Sequence, residues 1–276
     1  MSRRNLGDPL PFGAYEGAMF IDTLTDILTL PQLAFAFAVT VLAGFVKGAT
    51  GFALPMIMVS GLASVLPPET AIASMIVPTV LSNVWQSLRG GGISAVVDVA
   101  RAFKLYIATL LIFIVVAAQL VAALPQDVFL LVLGVPIVAL ALFLLKGHVM
   151  YVDPSKRGQA DVLIGAASGF LGGLAGTWGP LTVAYLTAIN TPMKQQIRIT
   201  GVIFTAGAIT LSLAHIQSGI LNAKTLPLSL MMILPVAIGQ TLGNSVQDRL
   251  DQKKFRRMTL VVLIIAGLNL IRRAVM

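Results

Sequence analysis

Ten apolar stretches follow one another along the chain, over residues 31–46, 52–66, 70–88, 105–124, 128–145, 162–175, 178–189, 197–213, 226–242 and 258–270. A bilayer core about 30 Å thick takes roughly 20 apolar residues per helical crossing, so the pattern predicts a protein that crosses a membrane many times. The first, second, sixth and seventh stretches are short for crossings. Each short pair is split only by a glycine-rich break, 47–51 in one case and 172–177 in the other.

The two short pairs are copies of one another. GFVKGATGFALP (44–55) aligns without gaps on GFLGGLAGTWGP (169–180), and the offset of 125 positions holds as far as Pro67 and Pro192. Identities fall at Gly44, Phe45, Gly48, Gly51, Pro55 and Pro67, and Gln119 and Gln240 hold similar places in the fourth stretch of each half. The repeat predicts a first unit over 31–147, a connecting loop over 148–160 and a second unit over 161–276. An N-terminal tail or membrane-surface segment over 1–30 precedes them. Asp8, Glu16, Asp22 and Asp26 interrupt it, so it forms no signal-peptide core.

Two threadings fit this pattern. If each short pair made one crossing, the basic loop at 249–257 would lie opposite those at 89–104 and 146–157. If each pair is a hairpin that enters and leaves on one side, all three basic loops share a face, as cytoplasmic loops rich in Lys and Arg do. Each half then has three full crossings, and an odd number turns the second half upside down. Interrupted helices meeting near the midplane of two inverted repeats are a recurrent transporter plan. The expected fold is an all-α membrane bundle of two inverted repeats, each opening with a broken, re-entrant helix pair.

Composition narrows the function. Hydrophobic residues make up 57% and charged residues 11%, with a mean hydropathy of +0.91, whereas soluble domains carry about 25% charged residues. The net charge of +8 comes from cations in loops, so it reports topology and does not point to nucleic acid. With no cysteine there is no disulfide framework or thiolate site. His148 and His215 lie at segment ends without metal-ligand spacing. No nucleophile with a base and no carboxylate pair stands out, which argues against an enzyme, and no cofactor is called for. Proton- and sodium-coupled carriers often hold carboxylates inside the membrane, but here Glu69 and Asp127 sit at segment ends.

The breaks themselves carry the candidate chemistry. Backbone that leaves the helix inside a bilayer lines a cavity or is buried by protein, and Gly48, Gly51, Gly173 and Gly176 permit the turns this needs. Thr50 or Gly51 is the expected cap of the second half-helix in the first pair, with Pro55 in its first turn. Thr177, between Gly176 and Trp178, is its counterpart, followed by Pro180. Two half-helix N-termini with unpaired N–H groups and positive dipole ends make an anion site. Lys47 in the first break, Arg89 at the end of the third stretch and Arg198 two turns into the eighth supply charge. Arg198, with no acid near it in sequence, offers the planar fork that suits an oxyanion; Arg89 is also placed to snorkel. Asn83 and Gln86 share a helix face and, with Gln240, are the expected amide donors to the anion. Asn190 and Gln195 are further polar candidates.

On these repeated motifs, and on PPETA (67–71) and NTP (190–192) leading into the following spans, the chain resembles the TauE/SafE family, the toluene sulfonate uptake permeases, over about 31–271. The resemblance implies a multi-pass inner-membrane transporter of sulfite, sulfoacetate or related sulfur-containing anions, most often exporting them. Uptake, or passage of another anion such as sulfate or thiosulfate, is the alternative it leaves. Lys47 stands where many members have glycine, so a strictly two-fold site is not implied. The expected partners are the anion and the lipid bilayer, and a homodimer is compatible with both.

Overall fold

The structure, a computed structural model, describes residues 29–89, 92–121, 124–147, 151–247 and 251–276. Residues 1–28 of the expected N-terminal segment 1–30, together with His148 and Arg249, lie outside the described residues. Among the described residues every element is helical. α1 (Leu30–Thr50) and α2 (Leu54–Leu62) are followed by α3 (Pro68–Leu88), a short α4 (Gly92–Ala102), α5 (Lys104–Val121) and α6 (Gln126–Leu145). After one 3-10 turn come α7 (Arg157–Ala175), α8 (Gly179–Ala188), α9 (Met193–Gln217), α10 (Leu226–Met231), α11 (Ile233–Val246) and α12 (Gln252–Val275). Among the described residues five helical stretches are long and apolar enough to cross a membrane, or six if α4 and α5, bent 82° apart, count as one. The chain is a polytopic helical membrane protein.

The halves interlock. α1 packs along α11 and α5 along α7, so the first helix of each half lies against the late long helix of the other, while α3 pairs with α9 and α6 with α12. Glycines set the closeness of these crossings. A Cβ on Gly44 or Gly48 would stand 2.5 or 2.3 Å from the carbonyl oxygens of Val236 and Gln240. Gly239 and Gly243 return the contact on the carbonyls of Val41 and Phe45, both at 2.1 Å. Gly165, Gly169 and Gly173 lay α7 on α5 in the same way. Small residues four apart let helix backbones touch in lipid, where no hydrophobic force drives association.

This packing corrects two expectations. The first and sixth stretches are not short: α1 continues through Lys47 and Gly48 for 21 residues and α7 through Gly172 and Gly173 for 19. Only α2 and α8, with 9 and 10 residues, are half-helices. A helix-interior glycine costs about 1 kcal/mol against alanine, but backbone contact with the neighbouring helix offsets it at Gly48 and Gly173. The breaks fall later, at Gly51 (φ 83°) and Gly176 (φ 67°), whose N–H groups close the last turn on Lys47 O (2.7 Å) and Gly172 O (2.6 Å). Here the left-handed backbone does require glycine. The second correction is the expected loop 89–104, which holds α4, an amphipathic helix with Val99 buried.

Both broken pairs double back. Val152, ahead of α7, donates its N–H to the Ala188 carbonyl at the end of α8 (3.3 Å), so the end of α8 returns to the chain that leads into α7. In the first pair a Cβ on Gly61 of α2 would meet Val39 of α1 at 2.5 Å. The second hairpin is tied by a polar cluster. The Tyr185 hydroxyl donates to Asp161 in the second turn of α7. Tyr106 of α5 stacks on Tyr185, centroids 5.2 Å apart, and its hydroxyl lies 2.9 Å from both Ser168 and Thr182. Asp161, five residues into α7, is 7% exposed. Hydropathy starts this stretch at Val162, but the helix starts at Arg157. Tyr185→Phe leaves that carboxylate without its donor, a loss of about 1.5–3 kcal/mol. A fall in melting temperature of roughly 3–10 °C is the expected result; an unchanged melt would show that the bond does not hold the hairpin.

Candidate functional site

The two breaks meet inside the bundle. A Cβ on Gly176 would touch Pro55 at 2.8 Å and one on Gly179 would touch Phe52 at 3.1 Å. The gap left between the tips, bordered by Lys47, Asn83, Trp178 and Phe204, is about 10 Å³. Neither half-helix has the cap that its sequence suggests. α2 starts from Ala53 (φ 77°) and α8 from Trp178, both without a side-chain cap. The Thr50 and Thr177 hydroxyls turn back to the preceding helices, donating to Val46 O and Leu171 O at 2.7 Å each. Gly51 and Gly176 likewise close the helix that ends rather than open the one that starts.

On one side of this junction lies a vestibule of about 380 Å³. It brings together Lys47, Gly48, Gly51, Gln86, Arg89, Arg198 and Gln240 of the predicted set. Asn83 lies one layer below, and Thr50, Gly176, Thr177 and Trp178 are not in its wall. Gln119, Asn190 and Gln195 are exposed and do not line it either. Among the described residues that line it, three are cationic and none is acidic.

Lys47 forms the floor. It is 2% exposed, and its Nζ donates to Asn83 Oδ1 and to the Gly51 carbonyl (3.1 Å) while lying 5.4 Å from the centre of the Phe204 ring. Its place in the last turn of α1 sets the charge at a helix C-terminus, where the dipole favours a cation. No carboxylate among the described residues pairs with it. Arg89 and Arg198 are exposed at the rim, whereas Lys47 is buried.

The amides turn their nitrogens to the scaffold. Gln86 turns its nitrogen to Ile197 O (2.9 Å) and Thr200 Oγ1 (3.1 Å), and Gln240 turns its own to Ser82 O (3.4 Å). Asn83 gives Nδ2 to Phe204 O (3.3 Å) and its oxygen to Lys47. A backbone carbonyl only accepts, which fixes the end of each amide that faces it. Each of the three amides is thus tied to the scaffold through its nitrogen.

Across the repeat the large side chain changes sides. Gly172 stands at the position of Lys47, and Trp178 at that of Ala53. A Cβ on Gly172 would lie 2.4 Å from the indole, so Trp178 packs on bare backbone there. Its ring also leans on Phe204, centroids 6.3 Å apart, leaving Phe204 between Lys47 and Trp178.

A family model described as the sulfite exporter TauE/SafE matches residues 36–270, which contain both helix breaks and every described residue that lines the vestibule. The chain belongs to the TauE/SafE family. A probable membrane transporter protein of Methanocaldococcus jannaschii is 27% identical over 144 residues, covering 49% of this chain and 54% of its own. The match thus spans about half the length of that curated relative. No solved structure matches the chain. In this TauE/SafE chain the sequence reading missed Asn244 and Gln247, which line the vestibule beyond Gln240. Their spacing along α11, four and then three residues, puts all three on one helix face, and that polar stripe is the signal that finds them.

Proposed function

We propose that the protein is an inner-membrane transporter that moves a small sulfur-containing anion, sulfite, sulfoacetate or a related sulfonate, out of the cytoplasm through the vestibule. The observation that carries this reading is a cavity whose described lining holds three cations and no acid, with one of the cations buried and bonded to neutral groups among the described residues. Clefts of about 300–1,000 Å³ hold small ligands, and with about 30 Å³ per water a partly hydrated oxyanion fits. Two descriptions agree with it: the family's names sulfite export, and that of the Methanocaldococcus jannaschii relative names membrane transport. Calorimetry on purified protein against sulfite, sulfoacetate, taurine, sulfate and thiosulfate tests the cargo. Binding of sulfite or a sulfonate is expected, and binding of none of the five overturns the reading.

The orientation we propose is that of inverted repeats. Hairpins that return to their own side, with three crossings per half, set the basic segments around Arg101, Lys156 and Lys253 on the cytoplasmic face. The vestibule, bounded by the end of α3 and the start of α9, then opens to the cytoplasm. The chain has no cysteine of its own, so single cysteines at Ser155 and Lys254 are informative. Both are expected to react with an impermeant maleimide only in inside-out vesicles; labelling from the outside of intact cells overturns this orientation.

A further inference from the structure

We infer that the anion taken by the vestibule carries a hydrogen-bond donor beside its charge, as a protonated oxyanion or a hydroxy- or ammonio-sulfonate does. The inference rests on the anion reading of the site. In this wall the cations supply charge while the glutamines supply acceptors. Gln86 gives its amide nitrogen to Ile197 O and Thr200 Oγ1, and no described residue donates to its Oε1. Gln240 gives its nitrogen to Ser82 O, and its Oε1 is buried with no partner among the described residues. The neighbouring Ser82 hydroxyl is buried and unpartnered as well. Flipping either amide would set its oxygen against a carbonyl oxygen, so the orientation is fixed by chemistry.

A buried acceptor with no donor is costly, and α11, which flanks Lys47 in the vestibule, presents one at Gln240 Oε1. Sulfate or thiosulfate, fully deprotonated, offers only acceptors and leaves that oxygen unmatched. A monoanion bearing O–H or N–H meets the cations with its charged end and a glutamine oxygen with its donor. Sites built to bond a substrate donor discriminate strongly against the analogue that lacks it, because their own polar group is then left unpaired.

The matched pair 2-hydroxyethanesulfonate and ethanesulfonate isolates the donor, since both are ionised throughout the usable pH range and differ by one hydroxyl. Calorimetry on the full chain is expected to give about tenfold or tighter binding of the hydroxy compound. That ratio is expected to collapse toward one in Gln240→Leu or in Gln86→Leu. Equal affinities in the wild type overturn the donor inference and leave the anion site standing. A ratio that survives in both variants also overturns it, by removing the glutamines from the recognition. Failure of both sulfonates and of sulfite to bind overturns the anion reading itself. If neither variant folds, as judged by size exclusion and melting, the wild-type ratio still decides, with sulfate expected to compete weakly.

Discussion

Replacing Lys47 with methionine is expected to weaken anion binding by roughly 10- to 150-fold, the equivalent of losing one hydrogen bond to a charged group. The side chain keeps its length and its contact with Phe204 but loses the ammonium that forms the vestibule floor. Lys47 is the buried cation of the wall, so its field is little screened. Arg89 and Arg198 stand in solvent at the rim, where exposed charges interact by only about 0.2–1 kcal/mol. Arg198→Ala is therefore expected to cost roughly 1.5- to 5-fold in affinity and to make binding less sensitive to salt. Calorimetry on both variants, each shown to be monodisperse, checks the order. A larger loss in Arg198→Ala than in Lys47→Met would move the site out to the rim.

Gly239→Leu is expected to abolish the folded protein. A Cβ there would lie 2.1 Å from Val41 O and 2.8 Å from Phe45 N. Both are backbone atoms of α1 and cannot swing aside as a side chain would. The two helices must separate along the whole α1–α11 crossing, at more than the 1–3 kcal/mol usual for an overpacked core. The expected outcome is aggregation on size exclusion. Gly158→Ala, whose Cβ would meet only Leu105 at 3.9 Å, is the control and is expected to melt at or slightly above the wild-type temperature. A soluble Gly239→Leu protein with wild-type melting would show that the glycine crossing does not set the packing.

Much of this architecture can be read from the sequence, because one motif occurs twice. Gly51 and Gly176, Pro55 and Pro180, Pro67 and Pro192 are local signals. Each fixes a left-handed residue, a helix start or a helix entry by its own covalent geometry. The roles of Gly48 and Gly173 are not local. Whether a glycine ends a helix or packs it depends on what lies over its Cβ, and for Gly48 that is the Gln240 carbonyl, far along the chain. The same holds for the amides: that Gln86 points its nitrogen away from the cavity follows from where Ile197 O and Thr200 lie. The burial of Asp161 depends on Tyr185 reaching it across the hairpin, which a hydropathy profile does not register. The residue types of the site were therefore legible, while the depth and direction of its side chains came only with the tertiary contacts.

Sulfite efflux from proteoliposomes, with voltage clamped by potassium and valinomycin and pH set separately, tests the central claim most directly. A potential of 100 mV is worth about 2.3 kcal/mol per elementary charge, enough to sustain a gradient of roughly 50-fold for a monoanion without a coupling ion. The account predicts efflux that quickens as the lumen facing the vestibule is made negative and that is largely lost in Lys47→Met. Efflux that ignores voltage and follows an imposed pH gradient, or that is the same in Lys47→Met as in the wild type, would contradict it.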